Sequence, residues 1–500
     1  MKILLVYPKY PDTFWSFKHA LKFVSKKAAF PPLGLLTVAS MLPSSWEKRL
    51  IDVNVTDLKD EDIAWADMVF VSAMIVQAKS AQEIINRAKE QEKTVVAGGP
   101  TFTTQHEKFK GVDHFVLNEA EVTLPLFLKD LQKGKAKHIY TSRVKPDVTK
   151  TPLPLWSLIN LKNYTTMAAQ YSRGCPFNCE FCDIIVMNGR IPRTKTPKQL
   201  LREFQSLHDI GWRGTVFIVD DNFIGNKINV KKMLPLLIKW QRIRHYPFKL
   251  LTEASTNLAD DEKLMEMMSA ANFNKVFLGI ETPCIDSLKE CGKMQNVTRN
   301  LIETVRIINH HGMQVMGGFI VGFDSDTESV FANQIEFIQK MGVVIAMVGL
   351  LNAPPKTRLW HRLKAEGRLS GEPTGENTDG SLNFIPKMGK KKLIEGYKGI
   401  LSTIYSPKYY YQRINVFLEH YKPTVRGKTS KGDVLVLIKS MWKIGILSKV
   451  RLLYWKLLLK TFFTKIKALP VAIELMIYGL HFEKVTQRVL DARNDYSHQR

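Results

Sequence analysis

Short apolar runs alternate with amphipathic stretches over the first 140 residues. The apolar runs are predicted strands, at Ile3–Tyr7, Arg49–Val55, Met68–Ser72, Thr94–Ala97 and His114–Val116. The stretches between them repeat apolar residues at helical spacing, which predicts helices at Leu33–Leu42, Ala81–Glu90 and Glu121–Leu131. This alternation is typical of a doubly wound parallel sheet covered by helices on both faces. We therefore predict a Rossmann-like α/β domain over residues 1–140.

A second α/β region follows a linker that we place at residues 141–165, where Pro, Thr and Lys are frequent. Six strands are predicted, at Tyr164–Gln170, Thr215–Val219, Phe248–Glu253, Val276–Ile280, Val315–Val321 and Ile345–Leu350. The helices between them are predicted at Pro197–Ile210, Val230–Arg242, Asp261–Ala270, Thr298–His311 and Thr327–Met341. This order predicts an open, partial (β/α)6 barrel over residues 166–370. The active site of a barrel lies at the carboxyl ends of its strands.

The pattern changes again near residue 371. A Gly- and Thr-rich loop, Gly371–Ser381, is predicted over the barrel mouth, and a mostly helical domain is predicted over residues 371–500. Residues Lys431–Lys467 mix bulky apolar and basic residues and contain one acidic residue, Asp433. Such a segment forms either a helical bundle with a solvated basic face or a contact with an anionic membrane surface. Nucleic-acid binding is disfavoured, because no RNA-binding motif accompanies the charge.

Composition narrows the setting of the protein. The formal net charge is +25, which bears on its partners rather than on its fold. Five cysteines in 500 residues indicate a reducing compartment rather than a disulfide framework. We find neither a signal-peptide core nor an apolar run long enough to span a bilayer. We therefore expect a cytoplasmic protein that can lie on the inner face of the membrane.

Three of the cysteines, Cys175, Cys179 and Cys182, are spaced C-x3-C-x2-C. Three thiolates this close can hold three irons of a cubane cluster, whereas four cysteines are usual. The remaining iron is then open to a small molecule. A zinc site needs a fourth Cys or His nearby, and the next histidine is the isolated His208. The spacing therefore predicts an iron–sulfur cluster with one open iron.

The cysteine loop, with Phe181 before its last cysteine, resembles the motif of the radical S-adenosylmethionine (SAM) superfamily. The resemblance implies a [4Fe-4S] cluster on Cys175, Cys179 and Cys182, with SAM bound to the fourth iron. Motifs at the successive strand ends also resemble those of the superfamily, in the same order. They imply a SAM-binding set of Asp221, Asn222, Glu253, Ser255, Gly279, Glu281, Gly318 and Gly322. The Asp-Asp-Asn stretch alone would be read as an Asx turn or a helix cap.

The N-terminal domain carries small residues at two successive strand ends. Ser72, followed by Gly98 and Gly99, resembles the S-x-L … G-G pattern of cobalamin-binding domains, which implies that these three residues bind cobalamin. A Gly-Gly pair alone is more often a turn. The D-x-H-x-x-G motif is absent, since Phe30–Gly34 stands in its place, so no lower axial ligand is assigned. Residues 1–140 contain no cysteine, which excludes the methylthiotransferase branch with its second cluster.

Together these motifs resemble the cobalamin-dependent radical SAM family. Asn118–Glu121 and Gly322–Asp326 resemble its subgroup of hopanoid C-2 methyltransferases, which also has a helical C-terminal domain. The resemblance implies SAM cleavage, hydrogen abstraction and methyl transfer to an unactivated carbon, for instance of a polycyclic lipid such as a hopanoid. It also implies a small-molecule or lipid substrate and an electron donor such as flavodoxin or ferredoxin. The alternatives are an oxidative cyclase or rearrangement enzyme with the same cofactors, and a non-catalytic binding protein that contains a cluster.

Overall fold

The computed structural model describes residues 1–376, 378–424 and 431–491. The N-terminal region contains six parallel strands in the order β2-β1-β3-β4-β5-β6. Their bounds are Lys2–Tyr7 (β1), Glu47–Asp52 (β2), Met68–Ser72 (β3), Thr94–Gly98 (β4), His114–Val116 (β5) and Ile139–Tyr140 (β6). Strand β6 was not predicted from the sequence, because two residues are too short for a pattern.

The helices of the N-terminal region are Lys18–Val24 (α1), Leu33–Met41 (α2), Asp60–Trp65 (α3), Ala78–Glu90 (α4), Pro100–Gln105 (α5) and Ala120–Gln132 (α6). Helices α2 to α6 cover both faces of this sheet. Successive side chains of a strand point to opposite faces, so each face buries its own apolar set. Helices α2 and α6 pack on the face of Ile3 and Leu5. Helices α3, α4 and α5 pack on the face of Leu4 and Val6.

The second sheet is also parallel, with the order β14-β13-β12-β11-β10-β7. The strands of this part of the chain are Thr166–Ala169 (β7), Ser172–Arg173 (β8), Arg193–Thr194 (β9), Thr215–Ile218 (β10), Lys249–Ala254 (β11), Phe273–Glu281 (β12), Gln314–Val321 (β13) and Ala346–Leu350 (β14). Strands β8 and β9 form a separate antiparallel pair beside the cysteine loop. The order of the strands in this sheet follows the chain, and crossover helices connect them. This arrangement is the open (β/α)6 barrel that the sequence predicted. The predicted α/β fold class is therefore confirmed.

The helices of this region are Ile184–Met187 (α7), Pro197–Asp209 (α8), Lys227–Ile243 (α9), Glu262–Ala270 (α10), Ile285–Glu290 (α11), Met294–Val297 (α12), Leu301–His310 (α13), Ser329–Met341 (α14) and Arg358–Ala365 (α15). The predicted crossover helices correspond to α8, α9, α10, α13 and α14. The short helices α7, α11, α12 and α15 were missed, because each has too few residues to show a helical period.

The last part of the described chain is helical. It comprises Lys390–Ile404 (α16), Pro407–His420 (α17), Lys431–Ser440 (α18), Arg451–Thr464 (α19) and Leu469–Asp491 (α20), with a π-helical turn at Met441–Ile446. Helices α16 and α17 pack on α14, and their apolar residues share one core with the barrel. Among the described residues, no helix is both long enough and apolar enough to cross a membrane.

The connection between β1 and α2 leaves the N-terminal sheet. The backbone at Ala28 bridges Tyr164 in parallel, and Thr166 of β7 donates its N–H to the carbonyl of Ala29 at 3.1 Å. Helix α1, in the same connection, packs against α20 and α18. Sequence pattern did not predict α1, whose surroundings come from the far end of the chain.

Candidate cofactor site

The three cysteines lie on the loop between β8 and α7. All five cysteines fall within the described residues and are free thiols, and Cys179 is buried. Gly174 opens the loop with a φ of 98°, and a Cβ there would lie 2.9 Å from the carbonyl oxygen of Gly189. Only glycine fits such a conformation and approach. The tight turn therefore brings the cysteine loop against the Gly189 turn.

Two of these thiols, Cys179 and Cys182, are better suited to binding a metal than to acting as nucleophiles. Burial raises the pKa of Cys179, and it raises the pKa of Cys182 to about 12. Without a cation these two thiols hold their protons, so they are poor nucleophiles at neutral pH. A bound metal displaces these protons. Three free sulfurs on one loop, without a fourth, fit a cluster with one open iron.

Two aspartates after β10 hold the cysteine loop in place. Asp220 accepts hydrogen bonds from the backbone N–H groups of Tyr171 (2.7 Å) and Ser172 (2.9 Å) and from the Ser172 hydroxyl (2.7 Å). Burial raises the pKa of Asp220 to about 7 despite these bonds. Asp221 accepts the Gly174 N–H at 2.7 Å and the Asn188 amide at 2.9 Å. Both carboxylates therefore position the loop, and only Asp221 was singled out from the sequence.

Asn222 and Ser255 meet beside the first cysteine. The Asn222 Nδ2 donates to the Ser255 Oγ at 3.2 Å and lies 3.7 Å from the Cys175 Sγ. Both side chains are buried. These two predicted SAM-binding residues thus lie together at the ends of β10 and β11, next to a cluster ligand.

Glu253, on β11, is an acid without a protein partner. Within the described parts of the chain its carboxylate forms neither a hydrogen bond nor an ion pair. Burial, together with the negative charges of Asp221 and Asp220, raises the pKa of Glu253 to about 8. A carboxylate in such a place is costly unless a ligand supplies the missing donor. The hydroxyls and the amino group of SAM are donors of the required kind, so the site fits this cofactor.

Glu281 already has a protein partner, unlike Glu253. Its Oε1 lies 2.7 Å from the Nζ of Lys293, and both side chains are buried. Burial opposes the charge of Lys293, but Glu281 and Cys179 outweigh it, and the pKa of Lys293 lies above its usual value. Glu281 also has a φ of 69°, a strained value for a residue with a side chain. A Cβ on Gly279 would lie 2.5 Å from Glu281 Oε1 and 2.6 Å from Lys293 Nζ, so Gly279 leaves room for this pair.

The two remaining glycines of the predicted SAM set lie in different places. Gly318 pairs in register with Gly279 on the neighbouring strand, and a Cβ there would lie 2.9 Å from the Phe277 ring. Gly322, with a φ of 111°, lies against Leu393 of α16. Gly279 and Gly318 thus form a floor of two glycines on β12 and β13, over which the side chains of Glu281, Lys293 and Phe277 lie. Gly322 instead allows α16 to approach the end of β13.

The structure brings the predicted cobalamin residues together. Ser72 and Gly98 are register partners at the ends of β3 and β4. Gly99 has a φ of 92°, and a Cβ there would lie 2.5 Å from the Ser72 Oγ. A Cβ on Gly98 would lie 2.7 Å from the carbonyl oxygen of Val116. These three small residues therefore form a cradle at the edge of the sheet. A larger side chain at any of them would fill the space that a corrinoid needs to approach the backbone closely.

Arg173 joins the two sheets, two residues before the first cysteine. Its guanidinium donates to Glu121 at 2.7 and 3.0 Å and to Glu119 at 2.8 Å, and the three side chains are 14% exposed or less. Arg193 on β9 also donates to Glu119, at 2.8 Å. Bidentate Arg–carboxylate pairs fix geometry as well as charge. The cysteine loop is thereby anchored to the N-terminal end of α6.

The predicted loop Gly371–Ser381 lies against the N-terminal region. A Cβ on Gly375 would lie 2.7 Å from the backbone nitrogen of Val76, and Glu372 pairs with Lys108 at 2.5 Å. Glu376 pairs with Arg488 of α20. The loop thus covers the connection after β3 and links it to the last helix. Asn377 within it lies outside the described residues.

Comparison with known families agrees with this geometry. The model of the B12 binding domain matches residues 24–128, and the model of the radical SAM superfamily matches residues 170–338. A domain of unknown function (DUF4070) matches residues 357–495.

Two curated relatives extend over nearly the whole chain. An uncharacterised methyltransferase of Synechocystis sp. is 42% identical over 462 residues, which is 91% of this chain and 86% of the relative. The hopanoid C-2 methylase of Rhodopseudomonas palustris is 34% identical over 473 residues, 92% of this chain and 89% of the relative. The chain belongs to the cobalamin-dependent radical SAM family. It is a radical SAM methyltransferase whose cofactors are a [4Fe-4S] cluster, SAM and cobalamin.

Solved structures share the fold. The cobalamin-dependent SAM radical enzyme OxsB is similar with a TM-score of 0.62 and 14% identity, covering 98% of this chain and 80% of that one. The radical SAM methyltransferase TsrM of Kitasatospora setae is similar with a TM-score of 0.59 and 15% identity, covering 74% of this chain and 77% of that one. At such identities the likeness concerns the fold.

Several residues at the site were not found by reading the sequence. Lys293, Asp220 and Arg173 carry no motif of their own, because a buried lysine or arginine cannot be told from a surface one by spacing. Glu119 and Glu121 were noted only as part of a resembling phrase. Cys284 caps α11, and Cys291 is buried with its carbonyl accepting the Glu180 N–H at 2.8 Å, so both have structural surroundings.

Proposed function

We propose that this enzyme adds a methyl group to an unactivated carbon of a polycyclic lipid such as a hopanoid. The observation that carries the proposal is the 34% identity to a hopanoid C-2 methylase over 92% of the chain, since this range includes the C-terminal helices as well as both cofactor regions. The cofactors supply radical cleavage and the methyl group. The protein residues bind them, orient them and exclude water.

Each proposed residue has a role in this division. Cys175, Cys179 and Cys182 would hold the cluster. Asn222, Ser255, Glu253 and the Gly279–Gly318 floor would bind SAM beside it, and Asp221, Glu281 and Gly322 would position the elements around them. Ser72, Gly98 and Gly99 would cradle cobalamin across the interface. The domain limits of 1–140, 166–370 and 371–500 are proposed with these roles.

An anaerobic assay tests the reaction. Reconstituted enzyme is incubated with a pentacyclic hopanoid, SAM, a reductant and a corrinoid, and the product is analysed by mass spectrometry. A mass gain of one methylene that requires both SAM and the corrinoid is expected. Full turnover without any corrinoid would rule out the proposed reaction.

An oxidative cyclase or rearrangement is the second candidate with the same cofactors. A magnesium-protoporphyrin IX monomethyl ester cyclase of Synechocystis sp. is 21% identical over 67% of this chain. The same assay separates the two, because cyclisation removes hydrogen from the substrate, rearrangement leaves its mass unchanged and methylation adds mass.

We also propose that α18, the π-helical turn and α19 contact the inner, anionic face of the membrane, with the rest of the enzyme in the cytoplasm. Large apolar side chains of this segment are strongly exposed, with Leu452 at 80%, Phe463 at 79% and Leu447 at 66%. Lysines such as Lys449 and Lys456 lie between them in the sequence. Basic helices with exposed Leu, Trp and Phe bind at the interface of an anionic bilayer. The net charge of +25 would also favour an acidic electron donor such as a flavodoxin or ferredoxin.

Vesicle flotation tests the membrane contact. The wild type is expected to float with phosphatidylglycerol-containing vesicles, and the double substitution Leu452→Glu/Phe463→Glu is expected to abolish flotation. Ile228→Glu is the control, since Ile228 is 69% exposed on α9 in the barrel region. Equal flotation of the double variant and the control would contradict the proposal.

A further inference from the structure

The interior face of the barrel is incompletely covered along β10, β11 and β12. Along β10, β11 and β12, residues of one parity are buried, such as Ile218, Leu250 and Leu278. Residues of the other parity, which face the interior, are half-buried. These are Phe217, Val219, Leu251, Glu253, Phe277 and Gly279. A filled barrel core would bury both parities. The inward-facing side chains therefore border an accessible space.

This space lies beside the proposed SAM site. Glu253 and Phe277 are register partners on β11 and β12, and Gly318 is the register partner of both Gly279 and Met347. Adjacent residues in register have side chains in contact range on the same face of a sheet. The aromatic and thioether groups of Phe277 and Met347 thus lie next to the unpartnered carboxylate and the glycine floor.

The connection between β1 and α2 closes the open side of the barrel. A six-stranded barrel leaves the edges of β7 and β14 unpaired with each other. Residues 27–29 pair with the edge that begins β7, as the bridge between Ala28 and Tyr164 shows. Trp15 reaches β14, where its Nε1–H donates to the Sδ of Met347 at 2.9 Å. One segment of the N-terminal region therefore spans both edges.

Trp15 completes the apolar wall. Its ring meets the Phe277 ring edge-on, with centroids 5.4 Å apart. Trp15 stays half-buried although it lies between the barrel and the C-terminal helices. Its ring also contacts the rings of Phe14 and Phe17, with centroids 5.0 and 6.0 Å apart. A Trp ring that is partly uncovered inside an enclosed site is a surface for an apolar ring.

The segment around Trp15 is held firmly. Phe14 stacks on Phe482 of α20 with centroids 4.5 Å apart, and the Phe14 carbonyl lies 2.9 Å from the Nε2 of buried His481. Asp12 pairs with His19 at 3.0 Å. Phe17 adopts a φ of 48°, which a residue with a side chain keeps only under constraint from its surroundings. These contacts orient Trp15 towards the interior.

We propose that Trp15, Phe277 and Met347 form the substrate-binding wall of the enzyme and select a rigid, apolar, fused-ring substrate over a flexible chain. The proposal rests on the proposed function and names the site where that substrate binds. A rigid ring system loses little conformational entropy on binding against a fixed aromatic wall, whereas an acyclic chain loses one ordering cost per rotatable bond. The wall therefore favours the polycyclic form of two lipids with the same number of carbons.

Equilibrium dialysis of reconstituted enzyme tests this wall. The probes are a radiolabelled pentacyclic hopanoid and the acyclic isoprenoid squalene, both delivered in cyclodextrin without a membrane. The variants are Trp15→Ala, Trp15→Phe and Phe277→Leu, and Trp442→Ala is the matched control because Trp442 is 58% exposed on the proposed membrane face. The ratio of 5′-deoxyadenosine to methylated product is measured in parallel.

Wild type is expected to prefer the hopanoid, and Trp15→Ala to weaken its binding at least about tenfold, while Trp15→Phe weakens it no more than about threefold. Trp15→Ala should also raise the ratio of 5′-deoxyadenosine to product, because a loosely held carbon is missed by the radical. Trp442→Ala should match the wild type. If Trp15→Ala fails to fold, Phe277→Leu tests the wall instead, and it is expected to bind the hopanoid about fivefold more weakly than the wild type.

Hopanoid binding by folded Trp15→Ala that equals the wild type would overturn the wall and leave the proposed function intact. An equal loss of hopanoid binding in Trp15→Ala and Trp442→Ala would also overturn the wall. Hopanoid binding by the wild type without methylation would overturn the proposed reaction alone. No hopanoid binding by the wild type would overturn both.

Discussion

At the ends of β3 and β4 the N-terminal sheet presents only Ser72, Gly98 and Gly99. At the ends of β10, β11 and β12 the barrel presents several carboxylates, among them Asp221, Glu253 and Glu281. Both edges belong to parallel sheets, where ligands bind beyond the carboxyl ends of the strands. On the proposed assignment, the N-terminal edge would bind cobalamin by leaving room for a large, rigid cofactor to approach its backbone. The barrel edge would bind SAM by placing charge where a small, polar cofactor needs partners.

This difference has an energetic consequence. A cradle of glycines costs little when empty, since its backbone groups pair within the sheet. Buried carboxylates are costly until each finds a donor. The barrel edge meets most of this cost internally, through Lys293 for Glu281 and backbone N–H groups for Asp220 and Asp221. Glu253 is the residue left for the ligand.

The largest effect is expected at the cysteine loop. Cys179→Ala removes one of three cluster ligands and should abolish both the visible absorbance of the cluster and SAM cleavage, because two thiolates do not hold a cubane. Cobalamin binding should persist, since its cradle lies in the other sheet. Cys284→Ala, a half-buried cysteine at the start of α11, serves as the control and should retain both properties. A cluster retained in Cys179→Ala would contradict the assignment.

The next largest effect is expected at the bridge between the two edges, which is formed by the ion pairs of Arg173 with Glu119 and Glu121. Arg173→Met leaves Glu121 without its ion-pair partner, whereas Glu119 keeps Arg193, and should lower the free energy of unfolding by about 3 kcal/mol. Denaturant unfolding followed by tryptophan fluorescence measures this change. The matched control is Arg87→Met, because Arg87 pairs with Asp60 at 2.6 Å at an exposed position and should cost less than about 1 kcal/mol. Equal costs for the two variants would show that the bridge does not stabilise the interface.

The unpartnered acid predicts a pH dependence of stability in the protein without cofactors. Glu253 has a pKa of about 8 when folded and 4.5 ordinarily, so the folded state binds more protons between these values. The free energy of unfolding should therefore fall as pH rises from about 4.5 to about 8. The full difference in pKa corresponds to about 5 kcal/mol, and the partial exposure of Glu253 lowers the expected change to about 2 kcal/mol. Glu253→Gln should flatten this slope, as measured by urea unfolding at several pH values. An unchanged slope in Glu253→Gln would place the acid in contact with solvent.

The smallest effect is expected at the cobalamin cradle. Gly99→Ala places a Cβ against the Ser72 hydroxyl in a strained conformation, and a displacement costing about 1.4 kcal/mol would weaken cobalamin binding about tenfold. Corrinoid titration by absorbance measures this. Gly134→Ala is the control, because Gly134 also has a positive φ, 64°, but no atom within 4 Å of a Cβ. The comparison of the two variants separates the effect of crowding by the added Cβ from the effect of backbone strain. Equal cobalamin binding by the two variants would remove Gly99 from the site.

The two edges also differ in how well sequence predicts them. The cysteine spacing alone predicts a metal cluster. Polar residues at strand ends, such as Asp221 and Glu253, are easily recognised in the sequence because they follow apolar runs. Both sheets follow from simple alternation of apolar and amphipathic segments. For this reason the strands and their order at the barrel, and the residues nearest the cluster, could be predicted before the structure.

What could not be predicted depends on contacts between distant segments. Helix α1 and Trp15 lie in a stretch whose pattern shows no sheet or helix period, and their neighbours are on β14 and α20. Lys293 differs from the many surface lysines only by its burial next to Glu281. The place of Gly322 against α16 likewise depends on a helix 70 residues further along the chain. Local pattern contains no information on such pairs.

The contact of Phe14 with His481 joins residues 467 positions apart, and this separation has a meaning during synthesis. At about 5–20 residues per second, Phe14 leaves the ribosome roughly 25–90 s before its partner on the last described helix. Throughout this interval the segment around Trp15 lacks its contacts with α20. The proposed cofactor residues are therefore made before the helix that holds this segment, and the contact of Phe14 with α20 forms only after residue 481 has been made.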